Sequence, residues 1–247
     1  MLSTFSHNAL KTFESCPRRY KFMHVEKLDL PKRVPANLYL GNAVHRTLAT
    51  LYAIVLEGKI PTLEYLLDQY TKEWDKPDRE EIYINRDYMT MEDYIASGKA
   101  MIERYYAKYH PFDQAKPIGI ERRLDGYVTN TPYKLAGYID RISRRPDGTI
   151  EICDYKTGKD LPRGGHDPNF YHQMGIYQLL VRENFPDFTS VVLVQHFHKV
   201  EETISYVMPE EELDQLREEI RIAIKEIKRA EKLDDFPAVE GAQCDFC

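Results

Sequence analysis

The 247-residue chain carries 34 Lys and Arg against 40 Asp and Glu, a formal net charge of −6, and is 43% hydrophobic and 30% charged. That composition belongs to a globular protein of one large domain or two small ones, and its acidity excludes a protein that coats nucleic acid indiscriminately. No apolar run is long enough to span a bilayer, and residues 1–8 lack a basic start followed by an apolar stretch, so the expected compartment is the cytoplasm.

The first 110 residues read as mostly helical. Ser6 can cap a helix over residues 6–15, with Leu10 and Phe13 on one face, and Cys16-Pro17 interrupts it. Residues 30–35 read as a loop. Residues 38–56 are apolar at helical spacing, and Glu57-Gly58 ends that helix. Thr62 can cap a further helix to about Lys76, residues 77–87 are charged and irregular, and Thr90-Met91-Glu92-Asp93 has the form of a capping box for a helix reaching His110. The pattern then turns to strands at residues 118–127, 133–143, 149–156, 190–198 and 202–207. Asp167-Pro168 begins a helix through Phe170, Met174, Tyr177 and Val181. The last helix starts at Pro209 and carries Leu213, Leu216, Ile220, Ile224 and Ile227. The predicted fold class is α/β (α+β): a mixed central sheet flanked by helices, behind a helical N-terminal region.

One hairpin carries chemistry. Pro146-Asp147-Gly148 suits a three-residue loop, with Pro presetting φ and Gly taking the left-handed position. Arg145 then faces Thr149, and Asp140 falls opposite Asp154. Asp154 and Lys156 share a face with Ile150 and Ile152, so both acids and the lysine converge. A two-residue loop would instead set Asp140 opposite Tyr155. Two carboxylates that close repel unless a cation lies between them, and hard oxygen ligands suit Mg²⁺ or Mn²⁺. The ordinary reading of the same residues is a solvated surface hairpin with a lysine salt bridge.

Further residues fit around it. Glu121 ends the run Ile118-Gly119-Ile120-Glu121, His45 lies on the early helix, and Gln173 and Tyr177 are one helical turn apart. Each alone has a bland alternative: a half-buried histidine, a routine helix surface. The four cysteines are Cys16, Cys153, Cys244 and Cys247. Cys153 reads as a small core residue on a strand. Cys244-Asp245-Phe246-Cys247 in a reducing compartment points to metal or redox chemistry rather than a disulfide.

Taken in order, His45, Glu121, Asp140, Asp154-Tyr155-Lys156 and Gln173-x-x-x-Tyr177 resemble the RecB-type branch of the PD-(D/E)xK nuclease superfamily. The opening from Ser6 through Cys16-Pro17-Arg18-Arg19-Tyr20 resembles it too, as do Gly137-Tyr138-Ile139-Asp140-Arg141-Ile142 and Asp154-Tyr155-Lys156-Thr157-Gly158. The subgroup it is most similar to is the iron–sulfur nucleases, which include CRISPR-associated exonucleases and the nuclease domains of recombination helicase complexes.

The resemblance implies a restriction-endonuclease-like core in a single nuclease domain, residues 1–247. It divides into a helical region at 1–115, a catalytic sheet and helix core at 116–208, and a C-terminal helix and cysteine tail at 209–247. It implies a Mg²⁺- or Mn²⁺-dependent deoxyribonuclease, an exonuclease on single-stranded DNA or DNA ends in recombination, repair or CRISPR adaptation. The alternative is an inactive nuclease-like module that binds DNA or a helicase. By the same resemblance the ion is held by Asp140, Asp154, the main-chain carbonyl of Tyr155 and the imidazole of His45, with Glu121 a further candidate ligand. Lys156 orients the attacking water, and Gln173 and Tyr177 contact DNA or support Lys156. Cys16, Cys244 and Cys247 would bind a [4Fe–4S] cluster. The pattern anticipates a fourth cysteine a few residues beyond Cys247; zinc, with His7 as fourth ligand, is the rival. Arg18, Arg19, Arg141 and Lys159 are expected to guide a strand to the metal. The expected partners are DNA and a helicase or CRISPR adaptation proteins, with no membrane.

Overall fold

The structure is a computed structural model that describes residues 3–29, 34–76, 82–84, 88–161, 168–241, 244 and 247. Local signals set most of its helices. Ser6 accepts a hydrogen bond from the Ala9 amide and opens α1 (His7–Ser15). Cys16 is extended and breaks the chain, Pro17 starts α2 (Pro17–Tyr20), and a π-helical turn follows at Lys21–Val25. The long apolar segment forms α3 (Ala36–Leu56), closed at Gly58, whose φ is 78°. Thr62 caps α4 (Leu63–Trp74). The Thr90–Asp93 capping box opens α5 (Met91–Tyr109), with both of its reciprocal bonds present.

The sheet follows. Its strands are β4 (Lys116–Tyr127), β5 (Lys134–Arg144), β6 (Ile150–Lys156), β7 (Val191–Phe197) and β8 (Glu202–Tyr206). Helix α6 (Pro168–Asn184) crosses between β6 and β7, which are parallel, and α7 (Glu210–Leu233) closes the fold. Asp167, the expected cap of α6, lies outside the described residues. Three short strands come from segments in which the sequence suggests no strand. β1 (Thr4–Phe5) adds in parallel to β5, while β2 (Val34–Pro35) and β3 (Ile82–Tyr83) pair with each other. Two-residue strands have no periodicity to betray them, because only their distant partners define them.

β5 is the hub. β4 runs antiparallel along one edge, and β1 and β6 share the other. Two cores form on opposite faces. On one, Ile139, Ile142, Ile150, Ile152 and Leu193 meet α6 and the Leu213, Leu216, Ile220, Ile224 and Ile227 stripe of α7. On the other, α3, α4 and α5 enclose Leu48, Leu51, Leu66, Tyr70, Trp74 and Ile102, with Tyr155 of β6 inserted among them. No described helix is long and apolar enough to cross a membrane.

Candidate metal centre

The predicted hairpin geometry is the observed one. Arg145 and Thr149 face each other across the loop, joined by the Arg145 amide to the Thr149 carbonyl at 2.9 Å, and Gly148 has a φ of 86°. The rungs then run from Arg144 with Ile150 to Arg141 with Cys153, so the next step sets Asp140 opposite Asp154. On the far edge of β5, Ile120 pairs with Arg141 and Arg122 with Ile139, so Glu121 stands opposite Asp140. On β7, Gln195 pairs with Asp154. Glu121, Asp140, Asp154 and Gln195 therefore form one polar row across four adjacent strands.

The row lies where the sheet loses its regularity. Leu124 and Ile139 belong to the α6 core, whereas Ile120 packs against the α3 core and Arg141 stands over the Tyr52 ring. Strict alternation would put Leu124 with Ile120 and Ile139 with Arg141. The reversal occurs at Glu121, whose φ of 43° is left-handed, and at Asp140 beside it. Beyond Cys153, β6 parts from β5. In place of a ladder carbonyl, Asp140 Oδ2 accepts the Tyr155 amide at 2.7 Å.

Helix α3 delivers His45 to this opening. Its Nε2 donates to the Tyr155 carbonyl oxygen at 2.8 Å, and its Nδ1 lies 3.5 Å from Asp140 Oδ2. One ligand atom each from His45, Glu121 and Asp140 lie within 4.8 Å of one another, the one such group of His, Cys, Asp and Glu among the described residues. Burial works to lower the His45 pKa, but the carboxylates of Asp140, Asp154 and Glu121 outweigh it and raise it. Partial burial and then Asp140 push the Glu121 carboxyl up. Crowded acids beside an imidazole are relieved by a cation, and two carboxylates with one imidazole suit Mn²⁺ or Mg²⁺. The residues present fit the ion that the sequence implies.

Glu121, the further candidate ligand, joins His45 and Asp140 in the 4.8 Å group, while Asp154, the second expected aspartate, stands on the adjacent strand engaged by Lys156. The buried Asp154 Oδ2 accepts from Lys156 Nζ at 2.7 Å and from Gln195 Nε2 at 2.9 Å. Burial, opposed by Lys156 and reinforced by Asp140, raises the Asp154 carboxyl. Lys156 Nζ donates in turn to Gln173 Oε1 at 2.9 Å, and Gln173 Nε2 to the Tyr177 hydroxyl at 3.2 Å. The Tyr177 ring lies so close to Gly137 that a Cβ there would fall 2.9 Å from Cε1, which is why that position is glycine. Gln195 was not anticipated, because a parallel β6–β7 register leaves no local mark in the sequence.

The expected DNA-contacting and cluster residues fare unevenly. Arg141 is only 6% exposed; its guanidinium bonds Glu151 at 3.0 Å and Cys153 Sγ at 2.8 Å. It is a core ion pair rather than part of a surface path, and a correction to the expectation. Arg18 is turned to the C-terminal tail, with its Nε on the Phe236 carbonyl at 2.8 Å; Arg19 is half-buried and Lys159 exposed. Cys16 is buried, and Cys244 and Cys247 are exposed. Cys16 Sγ accepts the Val239 amide at 3.4 Å, and Cys244 Sγ lies 4.0 Å from the Val239 carbonyl oxygen. Burial raises the Cys16 thiol, but amides of Val239, Arg19 and Arg18 prevail and lower it. The three cysteines do not converge as the His45 group does. His7 lines a cavity of about 360 Å³ with Lys156, Gln173 and Gln195.

A model of the PD-(D/E)XK nuclease superfamily matches residues 4–247. The chain belongs to that superfamily. Its mixed sheet with flanking helices is a restriction-endonuclease-like fold, and a solved structure agrees. The "Putative exonuclease" from Eubacterium rectale superposes with a TM-score of 0.59 at 15% identity, covering 98% of this chain and 86% of that one. The structure of SSO0001 aligns over 87% of this chain and 84% of that one, at 15% identity and a TM-score of 0.32, too low to bear on the fold. No curated protein matches the sequence.

Proposed function

We propose that this PD-(D/E)XK protein is a divalent-metal-dependent deoxyribonuclease that hydrolyses phosphodiester bonds, working as an exonuclease on single-stranded DNA or DNA ends. The observation that carries the reading is the His45–Glu121–Asp140 group one strand step from Asp154 and Lys156. A bound Mg²⁺ or Mn²⁺ would supply Lewis acidity at the scissile phosphate and acidify water. Asp140, Glu121 and His45 would hold that ion, with the Tyr155 carbonyl and Asp154 as further ligands. Lys156, fixed between Asp154 and Gln173, would orient the attacking water and offset charge developing on the phosphate. Gln173 and Tyr177 keep that lysine in place.

The RecB-type resemblance supports a role in recombination, repair or CRISPR adaptation beside a helicase or adaptation partner. The lowered Cys16 thiol and the approach of Cys244 to the same residue, Val239, support metal ligation at the tail, as a [4Fe–4S] cluster or zinc. Iron and zinc analysis with an absorption spectrum of anaerobically purified protein tests that part.

For the nuclease reading, labelled DNA is incubated with Mg²⁺ or Mn²⁺, or with a chelator. Asp140→Asn and Asp154→Ala should abolish cleavage, and Lys156→Ala should slow it about 10²- to 10³-fold. Wild-type rates in Asp154→Ala, or in chelator, would sink the proposal.

A further inference from the structure

The β4–β5 hairpin extends past the metal centre, and its two faces differ. On one, Leu124, Leu135 and Ile139 are buried, and Gly126 and Gly137 lie against Leu180 and Tyr177 of α6. The other face is on the side of α3, and on it Arg123, Asp125, Tyr127 and Tyr138 are exposed while Lys134 and Ala136 are half-buried. Those rungs pair Arg123 with Tyr138, Asp125 with Ala136, and Tyr127 with Lys134. Tyr138 is 61% and Tyr127 62% exposed, unusual for large aromatic side chains on a sheet. The Arg123–Tyr138 rung lies two residues beyond Glu121 and Asp140, and the Tyr127–Lys134 rung lies roughly 13 Å further along the strands.

We propose that this face is a stacking platform for an unpaired DNA strand, with Tyr138 and Tyr127 each taking a base and Arg123 and Lys134 facing the backbone phosphates. The proposal rests on reading His45, Glu121 and Asp140 as the cleavage centre, and it names what that centre is fed.

Three features favour a single strand as the occupant. Aromatic faces stack on any unpaired base, whereas the bases of a duplex are already stacked. Cations accompany the rings: Lys134 Nζ lies 4.7 Å from the Tyr127 ring centroid, and Arg123, held by Asp125 at 2.9 Å, hydrogen-bonds the Tyr138 side chain. The middle rung sets Ala136, which is small, opposite Asp125, whose carboxylate is taken up by Arg123, so that no large side chain stands between the two rings. In a chain of net charge −6, attraction for a polyanion has to be local, and here it adjoins the aromatic pair.

The test is binding without cleavage. Fluorescence anisotropy of a labelled oligothymidylate and of a blunt duplex is measured in chelator for wild type, Tyr138→Ala, Tyr127→Ala and the double variant. Each single variant should weaken single-strand binding about 5-fold or more, with larger loss in the double variant and no change for duplex. Tyr138→Trp, which keeps the ring, should restore affinity. The platform is overturned if wild type does not bind the oligothymidylate. It is equally overturned if the double variant binds it as wild type does, or loses duplex affinity in parallel. Cleavage by wild type with unmoved affinity in the tyrosine variants overturns the platform alone. Tyrosine-dependent binding by a wild type that cuts nothing overturns the cleavage centre alone.

Discussion

Arg141 and Glu151 show how far a single pair can mislead a reading of charge. The run of basic residues beside the acidic hairpin suggests a strand path, yet Arg141 is enclosed by Glu151, Cys153 and the Tyr52 ring. The signal was present: once Arg145 faces Thr149, Arg141 lies opposite Cys153 and diagonal to Glu151. Burial raises the Glu151 carboxyl, but Arg141, the Cys153 thiol and Arg145 pull it below the ordinary glutamate value. A carboxyl depressed in the folded state stabilises above its unfolded pKa, and that stability is lost as pH falls through the folded one. Glu151→Gln should therefore cost about 3–5 kcal/mol near neutrality by stranding the buried guanidinium. It should also flatten the acid limb of a stability–pH curve measured by chemical denaturation. A variant as stable as wild type would show that Arg141 has no need of its partner. Among the site residues, the Asp154–Lys156–Gln173–Tyr177 chain follows periods written in the sequence. The approach of Glu121 to His45 and Asp140 does not, because it depends on a backbone reversal that no local pattern announces.

At the scale of elements, the metal centre is a matter of register. Glu121, Asp140, Asp154 and Gln195 align only because the β5–β6 loop has an odd length. Deleting Asp147 leaves Pro146-Gly148, which cannot make a two-residue primed turn because Pro holds φ negative; keeping a three-residue loop draws in Thr149, sets Arg145 opposite Ile150 and so Asp140 opposite Tyr155. The expected outcome is a folded protein by circular dichroism that no longer binds Mn²⁺, read by the paramagnetic broadening of the free-ion signal. Undiminished Mn²⁺ binding would show that the loop does not set the site. The helices were legible because caps and breakers mark them: Ser6, Thr62 and the Thr90–Asp93 box each open the helix they announce. The five main strands were legible from their apolar runs and turns. β1, β2 and β3 were not, since each exists only through a partner far away in sequence.

For the whole molecule, the two ends of the chain are fastened to each other. Phe236 is buried in the α6–α7 core and stacks on Tyr20 with ring centroids 6.5 Å apart. The Arg18 amide reaches the Pro237 carbonyl at 3.2 Å, and Lys21 Nζ pairs with Asp234 at 2.7 Å. This clasp holds α1 and α2 against α7 by packing and hydrogen bonds within the protein itself. Phe236→Ala should cost about 3–5 kcal/mol in global stability. Limited proteolysis should then cut first within residues 1–29. A variant with wild-type stability would mean that the tail only rests on the surface.

At Glu121 the backbone adopts a shape in which glycine is at ease and glutamate is not, at a cost of about 1 kcal/mol or more. Selection for heat resistance alone would drive that position toward glycine and strip the centre of its most solvent-accessible carboxylate. Robustness and chemistry pull in opposite directions at this one rung, so the easiest way to harden the protein is also a way to make it inert.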